Sequence, residues 1–264
     1  MASFSTKDVQ ALRRLTGAGI LDCKSALEET GGDMEAARRR LREKGLAGAA
    51  KLAGREASQG AVALAVSGQN AAIVELRCET DFVAKADSFV SLTDELAQLV
   101  ASKGEDATAE RSEAVNDLRT TLKENISIGQ VVRFELAADA TVGNYLHVQS
   151  GRGVNAVLVE MQGGSEGLAH NVAVHIAFAR PVYLRREDVP AEEIASERAT
   201  LEKICRNEGK PEAALEKIVE GRLNGWFTEH VLLDQKYARD EKRTIAQLIG
   251  DAKVVRFAQV VVGG

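Results

Sequence analysis

Apolar residues recur at helical spacing through residues 1–45, and glycines break the pattern into three pieces. Val9, Leu12 and Leu15 mark one face of a first helix, which Gly17-Ala18-Gly19 interrupts. Cys23, Ala26 and Leu27 share a face of a second, ended by Gly31-Gly32. Asp33 is placed to cap a third, whose Met34, Ala37 and Leu41 face inward until Gly45 stops it. A module this small buries little apolar surface, so it is expected to lean on a partner or on the rest of the chain. The Ala- and Gly-rich residues 46–59 read as a linker, helical in part.

After Gly60 the period drops to two and an internal repeat begins. Ala61 to Val66, a Ser67-Gly68 turn and Ala71 to Leu76 form one hairpin. Tyr145 to Val148, a Ser150-Gly151 turn and Val154 to Val159 form another. Each leads into an amphipathic helix, striped by Phe89, Leu92, Leu96 and Leu99 in the first copy and by Leu168, Val172, Ile176 and Ala179 in the second. A third strand closes each copy: Val131-Val132-Arg133-Phe134 and Val254-Val255-Arg256-Phe257. The second copy is longer by about 40 residues, which fits a helical hairpin inserted at about 185–226, opened by Pro190 and turned at Gly209-Lys210-Pro211. The expected fold is therefore α+β: a three-helix domain (1–45), a linker (46–59), and two related subdomains (60–140 and 141–264). Each subdomain is a three-stranded antiparallel sheet with helices, the second carrying the insert.

Charge narrows the partners. The net charge of -5 gives no counterion-release drive toward nucleic acid, and aromatics for base stacking make up only 4% of the chain. A protein partner is the default. There is no apolar run long enough to span a membrane and no signal-peptide stretch after Met1, so the chain is expected in the cytoplasm. Cys23, Cys78 and Cys205 fit neither a disulfide framework nor a metal clip and read as buried thiols.

Enzyme signatures are thin. Gly163-Gly164-Ser165-Glu166-Gly167 matches the G-x-S-x-G elbow, with Asp188 and His230 downstream in triad order. Strands that come as hairpins do not build the parallel sheet that motif requires, so a serine hydrolase using Ser165 stands only as an alternative to a glycine-rich turn. His170 and His175 are spaced wrongly for one metal-binding helix face, and no P-loop appears, so neither cofactor, metal nor nucleotide is expected on this chain. Arg38, Arg39, Arg40, Arg42, Lys44, Lys51 and Arg55 form the strong basic run. They offer a second alternative, an RNA-binding adaptor, against the ordinary reading of a solvated helix face.

The junction Thr80-Asp81-Phe82-Val83-Ala84-Lys85 is harder to place. Thr80 suits a helix cap and Asp81 a first turn, while Phe82 stands seven residues before Phe89 on the buried stripe, which puts it in the core. The second copy has Met161-Gln162-Gly163-Gly164 there and no aromatic in its first helical turn, so the fold does not demand one. An aromatic beside an acid at a strand-to-helix corner also suits a protruding wedge.

The run Leu15 to Leu27, Gly31-Gly32-Asp33, Cys78-Glu79-Thr80-Asp81-Phe82-Val83-Ala84-Lys85, His170 to Ala179 and Val219-Glu220-Gly221-Arg222 together resemble the elongation factor Ts family, in the family's order and over about residues 5–260. The resemblance implies a ubiquitin-associated-like helical domain, the two subdomains and the inserted hairpin. It implies a guanine-nucleotide exchange factor for elongation factor Tu that performs no covalent chemistry. Thr80, Asp81, Phe82 and Val83 would enter the GTPase domain near its Mg²⁺, Phe82 as the wedge and Asp81 disturbing the metal, so that GDP leaves. Arg13, Ile20, Leu21 and Lys24 would hold the same GTPase domain, and His147 would approach a more distal one. Some members continue into a C-terminal helical module, whose contact is expected to be missing after Gly264. Self-association through the insert, known in parts of the family, is left open.

Overall fold

A computed structural model describes residues 4–16, 18–52 and 54–264. The first residues of the N-terminus and Gly17, the first glycine of the expected break, lie outside them, as do the side chains of residues 46–51, including Lys51 of the basic run. The fold is mixed helix and sheet with small antiparallel sheets, and the chain falls into two compact units.

The first unit comprises Met1–Arg133, Val148–Val154 and Val260–Gly264. It opens with α1 (Thr6–Thr16), α2 (Ile20–Glu29) and α3 (Met34–Leu52), packed through Val9, Leu12, Cys23, Ala26, Leu27, Ala37 and Leu41. Two expectations fail here. Leu15 does not join that core but stands 67% exposed, lining an open cleft with Arg38, Arg42 and Glu113. Gly45 does not end the third helix, which runs on to Leu52. A Cβ at Gly45 would sit 2.5 Å from Thr120 Cγ2, so this glycine permits close approach of α3 to α6 (Ser112–Leu122) instead of stopping a helix. Asp33 does cap α3, accepting from Ala36 N at 2.9 Å.

The sheet of this unit has the order β1 (Gln59–Ser67), β2 (Asn70–Cys78), β3 (Ser127–Glu135). β1 and β2 pair antiparallel from Gln59↔Cys78 to Ser67↔Asn70, joined by a two-residue turn with Gly68 at φ 58. α5 (Asp87–Lys103) covers one face, burying Phe89, Leu92, Leu96 and Val100 against Ala63, Val74, Leu76 and Cys78. Glu75, fully buried in β2, accepts from Arg77 Nε (2.8 Å), Gln130 N (3.1 Å) and Gly263 N (3.4 Å), which offsets the cost of removing its charge from water.

The second unit, Phe134–His147 with Asn155–Gln259, repeats the pattern. The second three-stranded sheet has the order β4 (Ala140–Gln149), β5 (Arg152–Gln162), β8 (Lys253–Val261), with α7 (Glu166–Ala179) packed on it through Val172, Ala173 and Ile176. Ser150 and Gly151 both take positive φ in the hairpin turn, as a twisted two-residue loop requires. β3 and β8 carry the two Val-Val-Arg-Phe segments, each beside the second strand of its hairpin.

The insert is a helical hairpin, α8 (Ala191–Asn207) and α9 (Glu212–His230). Leu201, Cys205, Leu215 and Val219 close one end of it, and Ile194, Leu223, Trp226 and Phe227 the other. The apolar stripe is thus consumed within the hairpin; Ile204 is its one exposed large hydrophobic side chain among the described residues. Between the insert and β8 lie a two-stranded ribbon, β6 (Lys236–Tyr237) and β7 (Asp240–Thr244), and α10 (Ile245–Ile249), which starts with a Thr244/Gln247 capping box.

Candidate functional site

The chain leaves β2 through Glu79 and turns at Thr80, whose extended backbone (φ -121, ψ 153) sets up a helix start. Thr80 Oγ1 accepts from Val83 N at 3.3 Å and begins α4 (Asp81–Ala84), a single turn. Ala84 is fully buried and Val83 packs on the sheet core, so the turn is pinned from below. Phe82 points the other way and is 83% exposed, while Phe89, seven residues later, is completely buried. The break at Lys85–Ala86 separates α4 from α5, so the two phenylalanines do not share one helix face. Leaving a Phe in water forgoes about 2 kcal/mol of burial free energy, which no structural need explains. Beside it, Asp81 bonds Lys85 Nζ at 2.5 Å, and that bond holds its carboxyl below the usual range.

On the helical module, Leu21 is 79% and Ile20 47% exposed at the start of α2, with Lys24 one turn on, paired to Glu28 at 3.7 Å. Arg13 is exposed near the end of α1. Ile20 and Leu21 are therefore surface residues, not core. His147 belongs to the second unit, exposed near the tip of β4, its Nδ1 3.3 Å from Tyr145 Oη.

The alternatives meet obstacles. Ser165 is the N-cap of α7, its Oγ accepting from Leu168 N at 3.2 Å. Its supposed triad partners are engaged elsewhere: Asp188 accepts from Arg185 N at 2.9 Å, and His230 stacks on Trp226. In the basic run, Arg40 pairs with Glu29 (2.8 Å), Arg42 with Glu113 (2.9 Å), Lys44 with Asp22 (3.0 Å) and Arg55 with Glu79 (3.5 Å). Four cations of the run are thus already paired with carboxylates, which weakens them as a phosphate-binding stripe. Among the described residues no group of three or more His, Cys, Asp and Glu side chains is set to hold a metal ion, and no helix is long and apolar enough to cross a membrane. Cys23, Cys78 and Cys205 are buried and unpaired; burial pushes the Cys78 thiol up to about 12, and its Sγ donates to Thr80 O.

Sequence reasoning passed over Glu124, in the loop between α6 and β3, which bonds the base of the Phe82 corner. No local signal marks it, because its partners lie more than forty residues away.

The profile of the family described as Elongation factor TS matches residues 79–264. Proteins named Elongation factor Ts are similar over the full chain: that of Renibacterium salmoninarum is 44% identical and that of Streptomyces avermitilis 43%, each over 100% of both chains. That of Paenarthrobacter aurescens is 43% identical over 96% of each. With a profile covering most of its length and relatives matching end to end, this chain belongs to the elongation factor Ts family, a family of translation elongation factors.

Proposed function

We propose that this protein is a guanine-nucleotide exchange factor for elongation factor Tu, working in the cytoplasm during translation elongation. The single observation that supports it best is the exposure of Phe82 on a turn pinned by buried Ala84. In this reading Phe82 wedges between helices of the GTPase domain and Asp81 reaches the surroundings of the partner's Mg²⁺. A bound Mg²⁺ is the largest charge holding a diphosphate, so disturbing it loosens GDP. Thr80 and Val83 shape the corner. Arg13, Ile20, Leu21 and Lys24 provide a separate hold through the helical module, and His147 a further contact from the second unit. Exchange then follows from differential binding, since a factor that favours the nucleotide-free partner is in turn displaced by GTP.

The test is release of fluorescent GDP from loaded elongation factor Tu. Phe82→Ala is expected to slow factor-dependent release by about thirtyfold or more, the loss typical of a central interface aromatic. Its thermal midpoint should move by about 2 °C or less, because little buried area is removed. Unchanged release, or a collapse of the midpoint, rejects the wedge.

A further inference from the structure

We propose that Glu124 is the positioning residue that holds the Phe82 corner rigid before the partner arrives; this rests on the exchange reading above. A four-residue helix has almost no stability of its own, since fixing its dihedrals costs more than its one or two hydrogen bonds return. α4 has one closing backbone bond into its cap, Ala84 N to Thr80 O at 3.2 Å, and its outermost side chain, Phe82, packs on little. Ala84 and Val83 anchor the turn from below, and a second hold comes from the strand side. There the Glu124 carboxylate takes three hydrogen bonds: Oε2 from Glu79 N and Thr80 N, both at 3.0 Å, and Oε1 from the Thr80 hydroxyl at 2.5 Å. The Thr80 hydroxyl, its proton committed to Glu124, is left with its lone pairs facing Val83 N, which is the cap that starts α4.

The clamp is reciprocal. The Glu79 carboxylate accepts from Asn125 N at 2.7 Å and pairs with Arg55 at 3.5 Å, and Asn125 Nδ2 donates to Arg55 O at 2.7 Å. The loop before β3 and the corner after β2 thus satisfy each other's backbone through charged acceptors, the stronger class of hydrogen bond. Such a clamp has no counterpart role in the sheet core, which the corner's Ala84 and Val83 already complete. Its consequence is preorganisation: a wedge whose backbone is already ordered loses less conformational entropy on docking.

The experiment is a double-mutant cycle in the GDP-release assay with Glu124→Ala, Glu124→Gln, Phe82→Ala and the Glu124→Ala/Phe82→Ala pair, using the full chain. Glu124→Ala is expected to slow release at saturating factor by about tenfold, the equivalent of ordering one or two residues. Glu124→Gln keeps one oxygen for the two N–H donors but has no acceptor for the Thr80 proton, and should recover part of the rate. In the Phe82→Ala background, Glu124→Ala should cost nothing further, because the clamp acts through that side chain. Hydrogen exchange should show Glu79 and Thr80 amides losing protection while Ile73 and Val74 keep theirs. Full activity of Glu124→Ala, or losses that add with Phe82→Ala, overturns the clamp while leaving the wedge standing. If Phe82→Ala itself is fully active, the exchange reading fails first, and the two failures are told apart.

Discussion

The corner that follows β2 and the corner that follows β5 are built alike and finish differently. Glu75 and Glu160 are both buried near the ends of their strands and both bonded to arginine, Arg77 at 2.8 Å and Arg256 at 2.6 Å. Five residues on, Thr80 and Ser165 each cap the helix that follows. Two residues further the first copy has exposed Phe82 and the second has Gly167. After Ser165 the helix runs unbroken to Ala179, whereas after Thr80 it stops at Ala84 and restarts at Asp87. The same scaffold therefore makes a smooth junction in one place and a projecting turn in the other. The difference shows that the projection is an addition to the fold and not a requirement of it.

Three measurements press on that comparison. The largest effect is expected where the copies agree. Glu75→Ala strands the Arg77 guanidinium and the N–H groups of Gln130 and Gly263, and should cost about 3 kcal/mol in urea unfolding. Glu160→Ala, which releases Arg256 from a carboxylate and from the Phe134 ring it covers at 4.3 Å, should cost a similar amount. If either glutamate is dispensable, the scaffolds are not equivalent. Next, Ser165→Ala removes a cap and should cost about 1 kcal/mol while GDP release stays intact. Loss of release without loss of stability would mean that the second corner is also functional.

The smallest effect separates the two helices. α7 alone carries a buried histidine, His175, whose Nδ1 accepts from Ala238 N (3.2 Å) and whose Nε2 therefore donates to Gln235 Oε1 (2.9 Å). Burial lowers its pKa below 6.5, although the Gln235 bond works in the opposite direction. With the folded value depressed, the unfolded chain binds the proton first. Its contribution is complete above pH 6.5 and is lost as pH falls through the folded value. Unfolding free energies from urea titrations at pH 7.5 and 5.5 should differ by no more than about 1.4 kcal/mol in total from this group, and His175→Gln should flatten the difference. An unchanged slope would show that the ring is not held neutral.

Much of the architecture was legible in the chain. Alternation marked both hairpins, the repeated Val-Val-Arg-Phe marked the third strand of each sheet, and the excess length of the second copy marked the inserted pair of helices. The β6–β7 ribbon and α10 went unforeseen because they are short, and α6 was passed over although Val115, Leu118 and Leu122 recur at helical spacing. Gly45 was misread because a glycine that ends a helix and one that lets two helices touch look identical in sequence; Thr120 decides between them.

The sequence by itself determined which residues alternate, which recur at helical spacing and where caps and turns fall, because these depend on neighbours within a few positions. Only the tertiary structure decided that Phe82 lies outside and Phe89 inside, since a break of two residues rotates one stripe away from the other. It alone brought Glu124 to Thr80, 44 positions apart along the chain. Burial and long-range hydrogen bonding are properties of what packs above a residue, and no local pattern encodes that.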